Sequence, residues 1–140
     1  MGKGGAMNGA TERVAADFGE KPYQIHGTAA FCGKDLHLSF TGGTLPHIGA
    51  VSLAVYEPER DSATVSTICV YAHRDDRLSA DCARETAARF QCTAAVAVGI
   101  HIDDASPQEI RRLCGNFKEC RNRLWKEIEK RRDVRGNAEL

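Results

Sequence analysis

The chain has 140 residues, a length that fits one domain with one hydrophobic core, and its 19 lysines and arginines balance 19 aspartates and glutamates. A balanced charge gives no overall field to attract nucleic acid or an anionic membrane, so neither is expected as a partner. The apolar runs also fall well short of the roughly 20 residues that a bilayer span needs, which argues against a membrane-spanning helix.

Four strands are predicted in the first half of the chain. Apolar and polar residues alternate, or β-branched residues cluster, over residues 23–31, 36–41, 48–57 and 63–72. Glycine, proline and aspartate mark the connections between these segments. An antiparallel meander is the simplest arrangement of four such strands.

A helix, a fifth strand and a second helix follow. Helical spacing predicts the first helix over residues 77–91, and a nearly continuous apolar run predicts a buried strand over residues 93–100. We expect this strand to pair in parallel with the fourth through a right-handed crossover. The second helix is predicted to begin at Pro107, in a capping box of Ser106 and Glu109. Its apolar stripe predicts core and, where it extends beyond the sheet, a dimer face, so a homodimer is expected.

These elements predict an α+β fold with a single mixed sheet of about five strands, a four-strand antiparallel meander plus the linked fifth strand, and two helices packed on it. The folded domain is expected over residues 21–132. Residues 1–20, which begin with a glycine-rich segment, are predicted to be a disordered leader, and residues 133–140 a flexible tail. No apolar segment follows Lys3, so a cytoplasmic protein is expected.

The sequence contains six cysteines, and none of them forms a C-x-x-C pair. That spacing argues against a zinc site, and the lack of a secretory signal argues against a disulfide framework. Reduced and mostly buried thiols are therefore expected, with Cys120 as the exposed exception.

Unusual polar residues gather in three short stretches, each at the end of a predicted strand. The stretches cover residues 41–49, 73–76 and 99–104. In the predicted sheet these strand ends lie at the same edge, and both helices begin there. We therefore expect three segments that are far apart in the sequence to meet in space.

An edge of this kind suits a small anion. Helix N-termini present unsatisfied amides and the positive end of a dipole, and Arg74 with the backbone of Gly42 and Gly43 would add further donors. Nearby carboxylates would repel an anion unless they cap amides, pair with arginines or hold a cation, and these three outcomes remain open. The carboxylates are those of Asp75, Asp76, Asp103, Asp104 and Glu109.

The three stretches also carry a family resemblance. Their residues are Thr41-Gly42-Gly43-Thr44-Leu45-Pro46-His47-Ile48-Gly49-Ala50-Val51, His73-Arg74-Asp75-Asp76 and Gly99-Ile100-His101-Ile102-Asp103. This pattern resembles the LpdD-like prenylated-flavin chaperones, the small D components encoded with gallate-type decarboxylases, from about Tyr23 to Phe117. The resemblance implies a non-catalytic accessory protein that binds prenylated FMN, or FMN. Such a protein would assist passage of the cofactor between a UbiX-type flavin prenyltransferase and a UbiD-type aromatic acid decarboxylase.

The resemblance implies a flavin site on the matched motif positions and assigns no catalytic residue. As a hypothesis, Arg74, the glycine pair and the amides that follow Asp75 hold the phosphate. His47, His101 and Asp103 would face the polar edge of the flavin or a bound divalent cation. The site residues predicted in this way are Thr41, Gly42, Gly43, Pro46, His47, Ile48, Gly49, His73, Arg74, Asp75, Asp76, Gly99, His101 and Asp103.

Two other functions remain open from the sequence. One is a metal-dependent hydrolase or lyase with His47, His73 and His101 as ligands, since imidazoles and carboxylates suit zinc, manganese or iron. No H-E-x-x-H motif supports that function. The other is a structural subunit of a decarboxylase that has no ligand of its own.

Overall fold

A computed structural model describes residues 12–70 and 75–139 of the chain. Six strands and two helices follow one another in this part of the sequence, and the α+β prediction is confirmed. The strands are β1 (Arg13–Phe18), β2 (Ile25–Cys32), β3 (Asp35–Gly43), β4 (Ala50–Glu57), β5 (Ser62–Cys69) and β6 (Thr93–His101). The helices are α1 (Asp76–Phe90), between β5 and β6, and α2 (Pro107–Glu139), after β6.

The strands form one mixed sheet in the order β1-β2-β3-β6-β4-β5. β6 pairs in parallel with β3 and antiparallel with β4, so the connectivity differs from the predicted meander. The fifth predicted strand was expected beside the fourth, but it lies between the second and the third. Its apolar run fits this central position, because Ala94, Val96 and Val98 are fully buried beneath the helices.

The sheet has one strand more than predicted, because β1 lies within the segment expected to be a leader. Val14, Ala16 and Phe18 alternate along β1 and pack against the core. This alternation is short and follows a glycine-rich segment, which explains why the sequence analysis missed it.

The second helix also extends further than expected, through Glu139 and therefore past residue 132. Arg131 and Arg135 of its last turns pair with Glu12, at 3.1 and 3.7 Å between nitrogen and oxygen. Arg135 also donates to the carbonyl oxygen of Gly33 at 3.0 Å. These contacts hold the end of α2 against the strands. Neither helix of the described chain is both long enough and apolar enough to cross a membrane.

The core lies between the sheet and the two helices, which cover the same face. The rings of Phe40 on β3 and Phe117 on α2 pack with centroids 4.7 Å apart, at the centre of this layer. The predicted core stripe of α2 is confirmed by the burial of Leu124, Trp125 and Ile128. No helix formed by residues 12–70 and 75–139 covers the opposite face of the sheet.

The expectation that Cys120 is the exposed thiol is wrong. Cys120 is fully buried on the stripe of α2, and its thiol contacts the carbonyl oxygen of Ala16 at 3.5 Å. Burial raises the pKa of Cys82 and of Cys120 to about 12. The exposed thiols among the described residues are those of Cys32 and Cys69.

A buried hydrogen bond between the two helices gives a test of this packing. The indole N–H of Trp125 donates to the hydroxyl of Thr86 at 3.0 Å. Thr86→Val keeps the shape but leaves the indole N–H unsatisfied, so we expect the free energy of unfolding to fall by about 1–3 kcal/mol. Urea denaturation, followed by the fluorescence of the single tryptophan, measures the change. Thr86→Ser keeps the acceptor and should lose less; equal losses would contradict the account.

Candidate functional site

The ends of β3 and β6 and the start of β4 meet at one end of the sheet. β3 and β6 run side by side, with Gly43 opposite His101. The loop over residues 44–49 then crosses the end of β6 on its way to β4. The amide of Thr44 donates to the carbonyl oxygen of His101 at 2.9 Å, and the amide of Gly49 donates to that of Val98 at 2.8 Å. The first and third polar stretches therefore lie together, as predicted.

The glycines of these stretches allow the backbones to pass at close range. A Cβ atom at Gly99 would overlap the carbonyl of His47, and one at Gly43 would overlap the carbonyl of His101. Gly43 also has a φ of +78°, which favours glycine. Its amide donates to the carbonyl oxygen of Gln24 at 3.3 Å, within the sheet. This bond weakens the phosphate-binding role expected for the Gly43 amide.

The buried carboxylate of Asp75 links three elements at this end of the sheet. Asp75 occupies the N-cap position of α1, but its side chain makes no capping bond. Instead, Oδ1 accepts from the amide of Ile100 on β6 at 3.4 Å, and Oδ2 lies 3.5 Å from Nε2 of His47 in the loop. A Cβ atom at Gly49 would overlap the same carboxylate. Helix, strand and loop are thus held around one charged group.

The two described histidines of the site lie close together. The rings of His47 and His101 pack edge to face, with centroids 6.1 Å apart. Nδ1 of His47 bonds to the carbonyl oxygen of Leu45 at 2.9 Å, and since a carbonyl only accepts, this nitrogen carries a proton. Nε2 of His101 lies 2.7 Å from Oδ1 of Asp103, in a pair that is open to solvent. Such a pair orients the imidazole more than it stabilises the fold.

The capping box at the start of α2 is confirmed. The amide of Ser106 donates to Oε1 of Glu109 at 3.0 Å, and the amide of Glu109 donates to the hydroxyl of Ser106 at 3.1 Å. The hydroxyl of Tyr23 also donates to Glu109, at 2.8 Å. These bonds, with that from the Ser106 amide first, lower the pKa of Glu109. Of the outcomes left open for the carboxylates, Asp75 and Glu109 therefore both accept from amides.

An apolar cleft opens beside this polar cluster, between the first turns of α1 and α2 and the end of β6. Its volume is about 900 Å³, which lies within the range of roughly 300–1,000 Å³ typical of small-molecule pockets. Apolar side chains form its walls, and charged or polar residues form one side of its rim. The walls comprise Leu78, Ile100, Ile102, Ala105, Ile110, Leu113 and Cys114, and the rim comprises Asp75, Asp76, Arg77 and His101.

The predicted site residues take three different positions around the cleft. The cleft is lined by Asp75, Asp76 and His101. His47 and Gly49 do not line it but lie against the carboxylate of Asp75. Other predicted residues do not line the cleft: some lie in β3 or shape the loop crossing, and the rest are exposed. These are Thr41, Gly42, Gly43, Pro46, Ile48, Gly99 and Asp103. His73 and Arg74 lie outside the described residues.

The sequence analysis missed the apolar half of the site. It assigned Leu78, Leu113 and Cys114 to helix stripes facing the core, because spacing alone does not separate a core position from the wall of a cleft. A signal was present at Ile110, an apolar residue of the first turn of α2 that is 45% exposed. Another was the alternation of Ile100 and Ile102, which continues the apolar pattern of β6 one residue beyond its end.

The metal-dependent alternative finds no support in the described part of the chain. Within residues 12–70 and 75–139, no three His, Cys, Asp or Glu side chains are grouped so as to hold a metal ion. Two of the three proposed ligands, His47 and His101, do lie together. The third, His73, is outside the described residues.

Comparison with known proteins identifies one family and one fold. The family model for the prenylated flavin chaperone LpdD-like domain matches residues 19–129. No curated protein matches the chain. A chain from the crystal structure of a chaperone complex for yeast 20S proteasome assembly is similar, with a TM-score of 0.57 and 15% identity. The match covers 84% of this chain and 98% of that one, and at this identity it shows the fold alone.

The tight crossing at Gly99 can be tested by adding one methyl group. Gly99→Ala forces the His47 carbonyl away, so we expect the free energy of unfolding to fall by about 1–3 kcal/mol and the imidazole NMR signals of His47 to shift. In Gly115→Ala, the matched control on α2, the Cβ atom meets nothing within 4 Å. That change should raise the stability by about 0.5–1 kcal/mol. If Gly99→Ala unfolds at the wild-type urea concentration, the crossing is not as described.

Proposed function

We propose, because this chain belongs to the prenylated flavin chaperone LpdD-like family, that it binds prenylated FMN in the cleft between α1 and α2. In this role it is a cytoplasmic accessory protein without catalysis of its own. It receives the cofactor from a UbiX-type flavin prenyltransferase and passes it to a UbiD-type decarboxylase.

The observation that carries the proposal is the position of the cleft. The third of the three stretches that carry the family resemblance lines it through Ile100, His101 and Ile102, and Asp75 of the second stretch lies on its rim. The first stretch reaches the rim of the cleft through the contact of His47 with Asp75. Its walls are apolar, as the face of a fused aromatic ring system requires, and its polar groups are confined to one side. A flavin has the same division, with an apolar dimethylbenzene end and a polar pyrimidine edge.

The ring system would lie over Ile100, between Leu78 of α1 and Leu113 of α2. The pyrimidine edge would then face His101, whose imidazole is oriented by Asp103. Burial of an aromatic face against these side chains supplies most of the affinity, since apolar burial is worth roughly 25 cal/mol per Å².

The phosphate would lie toward Arg77, which is exposed and lines the cleft. Arg74, which lies outside the described residues, remains a predicted phosphate ligand. The glycines of the loop crossing would act indirectly, because they let His47 approach Asp75 and so support the rim.

A carrier must release its ligand as well as bind it. The cleft suits this requirement because one of its walls is open: Ile110 is 45% exposed, although it lines the apolar interior. A flavin in this position would keep one edge accessible to the next protein. Pockets that retain a ligand through a reaction enclose it more fully.

A charge placed in the open wall tests the site. Ile110→Glu puts a carboxylate where the ring must pack and near the flavin phosphate, so we expect prenylated FMN or FMN to bind at least ~10-fold more weakly. Val134→Glu, on the same helix and 62% exposed, makes the same change away from the cleft and should bind like the wild type. Flavin fluorescence titration measures both. Equal affinities for the two variants would remove the cleft from the proposal.

The same pair of variants separates the accessory role from a purely structural one. Co-expressed with a UbiX-type prenyltransferase and a UbiD-type decarboxylase, Ile110→Glu should lower the fraction of decarboxylase that carries cofactor, and Val134→Glu should not. A wild-type protein that binds no flavin yet still supports the decarboxylase would favour the structural subunit. Titrations repeated with EDTA test the divalent cation that the sequence leaves open at His47, His101 and Asp103.

The homodimer expected from the sequence belongs to the same proposal. The stripe of α2 from Phe117 to Ile128 packs on the sheet, so it is covered within one chain. A dimer therefore needs a surface other than this stretch of α2.

A further inference from the structure

One half of the helix-free face of the sheet is apolar and exposed. Val51, Leu53 and Val55 alternate along β4 on this face and are 41%, 48% and 47% exposed. Ile68 of β5 pairs with Val51 and is 79% exposed. On the other side of β4, the register sets Ala97 of β6 against Val51, Ala95 against Leu53 and Thr93 against Val55. The result is one continuous apolar surface across three strands, which we call the open face.

Charge is confined to one end of the open face, where Glu57 of β4 lies on the same side as Val55 and accepts a hydrogen bond from Thr64 of β5. The other residues that the register assigns to it are small or hydroxylated: Thr64, Ser66, Thr93, Ala95 and Ala97. In a chain with 27% charged residues, a face of three strands that carries charge only at one end is unusual. Monomeric proteins rarely expose a contiguous apolar patch of this kind, so another surface is expected to cover it.

We propose that a second copy of this chain covers the open face, sheet against sheet. Six strands of about eight residues, spaced by about 4.8 Å with a rise of about 3.3 Å per residue, present roughly 750 Å². A standard stable interface buries about 800 Å² on each partner. The three strands of the open face cover about half of that area. They would form the apolar half of an interface that extends over the helix-free side, with the two sheets about 10 Å apart.

Two-fold symmetry makes this surface complementary to itself. An axis that crosses the strands sets β4 of one copy against β4 of the other, so Leu53 and Val55 meet apolar residues. The same axis leaves β1 and β2 at the rim, where Asp17 and His26 form an exposed pair at 2.6 Å. An apolar region bordered by polar residues is the usual composition of a stable interface.

A permanent partner fits this surface better than a transient one. A protein that only exchanges the cofactor must dissociate, and short-lived interfaces are smaller and less apolar than permanent ones. The cleft lies on the helix side of the sheet, bounded by Leu78 of α1 and Leu113 of α2. A dimer built on the open face would therefore leave both clefts available.

Sedimentation equilibrium of the full chain tests the proposal. The wild type is expected at twice the monomer mass of 15.3 kDa. Leu53→Lys places a charge at the centre of the open face and should weaken the dimer at least ~100-fold, as should Ile68→Lys. Val134→Lys, at a similarly exposed position on α2, should remain dimeric. Circular dichroism of each variant checks that the fold is retained, and Ile68, at an edge strand, is the safer position if Leu53→Lys unfolds.

Two results would overturn the proposal: a wild-type chain of monomer mass at micromolar concentration, or dimers that persist in both lysine variants. A monomer whose complex with the decarboxylase is lost in Leu53→Lys would also overturn it and assign the open face to the client. Flavin titration of Leu53→Lys tests whether flavin binding in the cleft depends on the dimer. We expect unchanged affinity there, and reduced affinity would link the two surfaces.

Discussion

The arrangement at the end of the sheet depends on one buried carboxylate, that of Asp75. A buried carboxylate is costly unless polar groups surround it, and the polar groups around Asp75 come from different elements. The amide of Ile100 belongs to β6, and the imidazole of His47 belongs to the loop between β3 and β4. Satisfying this group therefore fixes where α1 starts relative to both. The cleft is the space left between that fixed start of α1 and the first turn of α2.

The sequence predicts most of the strands and helices, but it does not predict which strands are neighbours in the sheet. Alternation predicts β2 to β5, and the capping box predicts the start of α2, because these are local patterns. The position of β6 depends on which strand it pairs with, and an apolar run fits equally well at several places in a sheet. What decides it is the loop crossing, where Gly99 admits the His47 carbonyl. The sequence shows a glycine at position 99, but it does not show that the backbone of His47 packs against it.

The candidate site divides in the same way. Its polar half was predictable, since His47, Asp75 and His101 stand at strand ends that must converge once the sheet forms. Its apolar half was not predictable, because Leu113 has the helical spacing of an ordinary core residue. Leu113 lines the cleft because α1 and α2 are separated there by a gap, which the sequence does not show. The same limit applies to the open face of the sheet. In the sequence, one face of an ordinary alternating strand would include Val51, Leu53 and Val55. Only the structure shows that these side chains lie on the side of the sheet without helices and are exposed.

Methyl NMR of the full chain during titration with prenylated FMN tests the central claim most directly. With isoleucine and leucine methyl groups labelled, binding in the cleft should shift the signals of Leu78, Ile100 and Leu113 and leave Leu53 and Ile68 unchanged. Shifts confined to the open face, or none at saturating flavin, would contradict the assignment of the cleft as the flavin site.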